Sequence, residues 1–202
     1  MINIWEDCYL NKKKSHYYSA LLRSLQLAFS ACKMSLDNLS TIFDSGTKVA
    51  LWISAFEILF HPERKGIGYK DIISELNKFK LTNSVIKDSL FVINDIETNI
   101  VGLIYKEIYD IRNDFFHGNK IDNNGLNIFK KEEMPYATHI APVIYLIALK
   151  VFLTDKKLMK EPITKDFNEH MVRFIMQNQI EEVLTKISQT GFIAKRAKLK
   201  GK

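Results

Sequence analysis

A chain of 202 residues has room for one domain or two small ones, and a hydrophobic content of 47% supplies an ample core. Only 4 prolines and 8 glycines interrupt it, which favours an all-helical fold. The net charge of +6 is local: setting the five bases of the last eight residues aside from the total of 29 leaves 24 against 23 acids, a net of +1 and a nearly neutral body.

The two cysteines, Cys8 and Cys32, form neither a metal spacing nor a disulfide framework, and Cys32 reads as a buried thiol in an apolar helical pattern. Glu6 and Asp7 break the opening stretch, so no secretion signal is expected. The longest apolar run, Ile140 to Leu149, contains Pro142 and falls short of the ~20 residues that span a bilayer. It reads as a buried core helix, and the chain as cytoplasmic with no membrane partner.

In chain order, residues 1–14 form a poorly patterned extension ending in three lysines, and Ser15 can cap the first helix. From His16 to about Met34, Tyr18, Leu21, Leu22, Leu25, Phe29 and Cys32 recur as one buried helical face. An irregular piece, SLDNLSTIFDSG, leads to a helix over Thr47–Phe60 that is apolar on nearly all sides and therefore central. Glu57 is its only acid; a carboxylate there must be paired, exposed, or turned to a polar cleft. His61-Pro62 stops that helix, and HPERKGIG is a loop without the glycine and lysine-serine pattern of a phosphate loop. Helices are expected over Tyr69–Lys80, with Ile72, Ile73, Leu76 and Phe79 inward, and over Asn83–Val92, with Val85, Ile86 and Leu90 packing. The next helix is a long patterned one, Ile96–Gly118. Beyond it, Asn-Asn-Gly marks a turn and LNIF a brief extended piece. Tyr136 to about Lys156 is helical, with Pro142 either in the first turn or at a kink. Thr164–Ser188 closes the bundle, burying Phe167, Met171, Phe174, Ile175, Val183, Leu184 and Ile187. Residues 191–202 form a basic tail, a solvated extension or a phosphate contact. The whole reads as all-α: a single helical bundle over 15–190 around a long central helix, with no internal repeat or linker.

That central helix carries the chemistry. Val101, Ile104, Ile108, Ile111 and Phe115 recur at steps of three and four, one buried stripe. Lys106, Tyr109, Asn113 and His117 lie on the opposite face, and Gly118 can end the helix. Arg112 stands about 140° round from His117, with a side chain long enough to swing toward it. Histidine exchanges a proton near neutrality, arginine binds phosphate bidentately and stabilises its transition-state charge, and asparagine orients either. Together they suit RNA cleavage without a metal: a base takes the 2′-OH proton, that oxygen attacks phosphorus, and an acid protonates the departing 5′ oxygen. One histidine cannot stand on both sides of an in-line displacement, whereas two copies about a two-fold axis supply two. The C-terminal helix dipole favours an imidazolium, an acid or phosphate binder over a base. A plainer reading is also open: His117 bonds a terminal carbonyl and only caps its helix.

Arg112-Asn113-Asp114-Phe115-Phe116-His117 resembles the signature of the HEPN superfamily: Arg, a polar residue, a few positions, then His, at the end of a long helix. With the preceding ALWISAFEILF helix, IRNDFFHG is similar to the Apea-like HEPN branch, most sharply over residues 45–118. The resemblance implies a helical bundle that dimerises through its motif helices, and a metal-independent ribonuclease of prokaryotic defence, toxin–antitoxin or abortive-infection systems. It implies Arg112 and His117 as the catalytic pair, Asn113 as the polar residue after the arginine, and Glu57 as an acidic support from the earlier helix. Its partners would be RNA, a second copy, and an antitoxin (of nucleotidyltransferase type) or defence-complex partner. The alternative is the same bundle as a non-catalytic dimerisation or RNA-binding module. The remaining histidines, His16, His61, His139 and His170, have no carboxylate or cysteine at metal spacing, so no metal or cofactor is expected. Phe115 continues the core stripe, and Phe116 packs at a dimer seam or stacks on a base. The RNA substrate stays open among tRNA, messenger RNA and phage transcripts.

Overall fold

The computed structural model describes residues 16–35, 40–63, 65–119, 121, 123–158 and 167–189, with side chains left out over 167–176. The N-terminal extension, Cys8, the basic tail, and the expected burial of Phe167, Met171, Phe174 and Ile175 lie outside this description.

Helix α1, His16–Lys33, turns a stripe of small residues inward: Ala20, Ser24, Ala28 and Ala31, with Leu21. Small side chains let it lie close against α2, Ile42–Phe60, along its length. The expected face is rotated from the true one, so Phe29 and Cys32 are exposed. Ser24 Oγ donates to the Ala55 carbonyl and accepts from Tyr145 OH, both at 2.7 Å, joining two helices to a third. Burial pushes the Tyr145 phenol up to about 12.

Helix α2 begins one turn earlier than its apolar pattern suggests. Thr41 caps it, with Asp44 returning the bond to the Thr41 N–H at 2.7 Å, a capping box hidden in the stretch that reads as irregular. Val49, Trp52, Ile53, Phe56 and Leu59 are buried, as its central position requires. Helix α3, Tyr69–Leu76, buries Ile72, Ile73 and Leu76 and stops short of the expected end at Lys80.

The all-α expectation fails in the next segment. Residues 84–88 form turns in place of the expected helix, leaving Val85 and Leu90 exposed. Phe91–Ile93 (β1) and Ile96–Thr98 (β2) pair as an antiparallel hairpin with Phe91 opposite Thr98 and Ile93 opposite Ile96. Asn94 and Asp95 make its two-residue turn, both at positive φ (48° and 67°), which asparagine and aspartate tolerate. Asn77, at the end of α3, ties the hairpin down: Thr98 Oγ1 and Asn99 N donate to its Oδ1 at 2.9 and 3.1 Å, and its Nδ2 donates to Glu97 O at 3.0 Å. The chain is therefore mostly helical with a small sheet.

Helix α4, Ile100–Phe116, comes directly after the hairpin, so the central helix begins at Ile100 instead of Ile96. LNIF, expected to be extended, is mostly 3-10 turn (Asn123–Leu126 and Ile128–Lys130), with one isolated bridge between Asn127 and Tyr136. Helix α5, Ala137–Asp155, is apolar on most sides and buries Ile140, Ile144, Ile147 and Ala148. By length and composition it could cross a membrane, and 56% of its apolar window is buried inside the protein. Pro142 sits past the first turn, where it cannot donate back to Thr138. Helix α6, Phe167–Gln189, is anchored by the buried Glu181 carboxylate, which accepts from Thr82 N, Thr82 Oγ1, Asn83 N and Gln177 Nε2 at 2.6 to 3.0 Å. Leu184 and Ile187 join the core beside it.

Candidate functional site

The site residues hang from the end of α4, whose other end is firmly fixed. Asn99 caps it, accepting from Val101 N and Gly102 N at 2.9 and 3.1 Å. Gly102 is glycine because a Cβ there would collide with Thr98 of the hairpin. Every residue from Ile100 to Lys106 is buried. Lys106, on the face that the sequence pattern marks as polar, is only 8% exposed, paired with Asp110 at 2.5 Å and lying over the Tyr69 ring.

Two contacts set how α2 lies on α4. The Phe56 ring meets Tyr105 at 5.1 Å, and ten residues away in each helix Gly46 faces Phe115. The helices are thus antiparallel. A Cβ at Gly46 would strike the Phe115 ring, so glycine lets the start of α2 reach the tip of α4. Phe115, half-buried, ends the core stripe there; Phe43 and Phe116 flank it edge-on at 5.8 and 5.6 Å and are both exposed, at 68% and 59%.

The tip of α4 ends in a tight cap. His117 N donates to Asn113 O at 2.9 Å, Gly118 N to Phe115 O at 3.4 Å, and Asn119 N to Asp114 O at 3.0 Å. Gly118 adopts φ 69°, the left-handed residue this closure needs. His117 is thus the C-cap through its backbone. Its exposed imidazole bonds no terminal carbonyl and makes no hydrogen bond among the described residues. Asp114 is held by Lys130 at 2.9 Å and Asn119 at 2.8 Å, and those bonds, led by Lys130, keep its carboxyl below the usual range.

Arg112 is half-buried. Its Nη1 donates to Asn113 Oδ1 at 3.0 Å, so the structure brings these two expected residues together. Its Nε is buried and has no hydrogen-bond partner among the described residues. Its Cζ lies 5.9 Å from the Tyr109 ring centroid and 5.2 Å from that of Phe116.

Glu57 is also half-buried. Burial pushes its carboxyl up, and the Arg112 charge partly opposes this. The two charges act on one another without an ion pair among the described residues. The antiparallel register places Glu57 opposite residue 104, about 12 Å along α4 from the level of Arg112 and about 20 Å from that of His117 at ~1.5 Å per residue. Glu57 therefore belongs to the buried side of Arg112 and not to the His117 end. Tyr105, whose apolar surroundings in the sequence give no sign of a role at the site, feels the charges of both Glu57 and Arg112. Its hydroxyl is buried without a partner among the described residues, and burial first, then Glu57 and Tyr109, hold it well above its usual range.

Three surface clefts of about 490, 480 and 440 Å³ lie elsewhere, bordered by His16 and His61, by Thr82 and Glu181, and by Lys78 and Lys150. None is lined by Glu57, Arg112, Asn113 or His117. Among the described residues no group of three or more histidines, cysteines and carboxylates could hold a metal ion. Comparison with known proteins finds no matching family model, no matching curated protein and no matching solved structure.

Proposed function

We propose that the chain is a metal-independent endoribonuclease of HEPN type, acting as a homodimer in the cytoplasm in prokaryotic defence or a toxin–antitoxin system. One observation supports this reading most: half-buried Arg112 and exposed His117 stand at one helix tip, and among the described residues neither forms an ion pair and the imidazole does not cap the helix. A guanidinium and an imidazole that form no ion pair among the described residues suit an external anion.

In this reading Arg112 grips the scissile phosphate and stabilises the charge that builds on its oxygens. Asn113 helps to hold the guanidinium through the bond already formed. His117, on a helix C-terminus, protonates the 5′ oxygen as it leaves. The histidine of a second copy removes the 2′-OH proton, and that oxygen displaces the 5′ oxygen at phosphorus. The products are a 2′,3′-cyclic phosphate and a 5′-hydroxyl. Glu57 supports Arg112 from the buried side. Phe43 and Phe116 offer apolar surface for the second copy to cover.

The position of these three clefts favours a second reading, a non-catalytic dimerisation or RNA-binding module, because none of the three opens on the motif. Incubation of purified tRNA and total RNA with the protein in EDTA, with analysis of the new ends, separates the two. Cleavage leaving cyclic phosphate and 5′-hydroxyl ends is expected. Intact RNA bound by a dimer would establish the module instead.

A further inference from the structure

The guanidinium of Arg112 lies between two rings of its own helix. Tyr109 is three residues before it and Phe116 four after, the spacings that stack side chains along one helix face. Both ring centroids, at 5.9 and 5.2 Å, are within cation–π range. Tyr109 is held in turn, packing on Tyr69 at 5.3 Å and on Tyr105 at 6.4 Å. Phe116 leans on Phe115. With 59% of its surface exposed, Phe116 contributes little to the core, so its place over Arg112 calls for another account. The guanidinium donates to Asn113, a bond that by itself fixes neither its position nor its tilt.

We infer that Tyr109 and Phe116 are positioning residues that hold the Arg112 guanidinium between them and present its edge to a substrate phosphate. An arginine that orders itself only as charge builds on the phosphate loses rotamer freedom on the way to the transition state; the two rings remove that freedom in advance. The inference deepens the ribonuclease reading and rests on it for what Arg112 binds, while the clamp itself can be measured without any activity.

The test compares Phe116→Leu and Tyr109→Leu with the ring-preserving Phe116→Tyr and Tyr109→Phe. In RNA cleavage the leucine variants are expected to lose roughly two- to thirtyfold in kcat, the range of a cation–π contact, with KM unchanged and with the ring-preserving variants restoring the rate. Unchanged kcat in Phe116→Leu would overturn the inference. So would a raised KM at constant kcat, which would make Phe116 a surface for a substrate base. The Arg112 Nε–H resonance in NMR is the second readout: ring currents should shift it upfield in the wild type and release it in Phe116→Leu. A wild type that cleaves no RNA defeats the ribonuclease reading alone. A wild-type Nε–H at the position of a free arginine defeats the clamp.

Discussion

In its first two turns α4 is enclosed on every side, whereas in its last no residue from Arg112 to His117 is buried. The first end is fixed by burial and by shared polar bonds: Asn99 caps it, Asn77 ties the hairpin to it, and Gly102 lets Thr98 touch it. The last end is fixed by shape: a left-handed glycine, a glycine in α2 that admits Phe115, and rings around Arg112. Burial is thus concentrated at one end of the helix and the candidate site residues at the other. One rigid element lets the two coexist, because the buried end sets the direction in which the exposed end points.

Breaking the buried end should have the largest effect on stability. Ile104 is fully buried in the first turns, and Ile104→Ala is expected to cost about 2–5 kcal/mol in urea unfolding. A loss below about 1 kcal/mol would mean that this end is not the anchor. The exposed end should respond less. Gly118→Ala forces a side chain into φ 69° and is expected to cost about 1–2 kcal/mol by the same measurement. No loss there would show that the cap rearranges without cost and does not fix His117.

The same contrast separates what the sequence reveals from what it hides. Val101, Ile104, Ile108 and Ile111 declare a buried stripe through size and spacing, and all four are buried. The inward stripe of α1 is Ala20, Ser24, Ala28 and Ala31, too small to announce itself beside Leu25 and Phe29. Each strand of the hairpin is three residues long, too short for alternation to stand out, and Asn94-Asp95 lacks the glycine that marks such turns most clearly. Lys106 misleads by its charge, which Asp110 and the Tyr69 ring satisfy within the protein. At the site, the pairing of Arg112 with its neighbour Asn113 is within reach of sequence reasoning. The distance from Glu57 to His117 is not, because it depends on the antiparallel register that Gly46 and Phe56 set. The spacing of Tyr109, Arg112 and Phe116 is visible in the sequence, but the rotamers that bring both rings to the guanidinium are not.

The measurement that tests the account most directly pairs urea unfolding with RNA cleavage for the wild type, Arg112→Ala and His117→Ala. Both positions lie at the end that carries little of the fold. Stability is expected to stay within about 0.5 kcal/mol of the wild type for His117→Ala and within about 1 kcal/mol for Arg112→Ala, while cleavage falls by roughly a hundredfold or more in each. Equal cleavage by all three proteins, or a loss of cleavage that only tracks a loss of stability, would contradict the assignment of chemistry to the tip of α4.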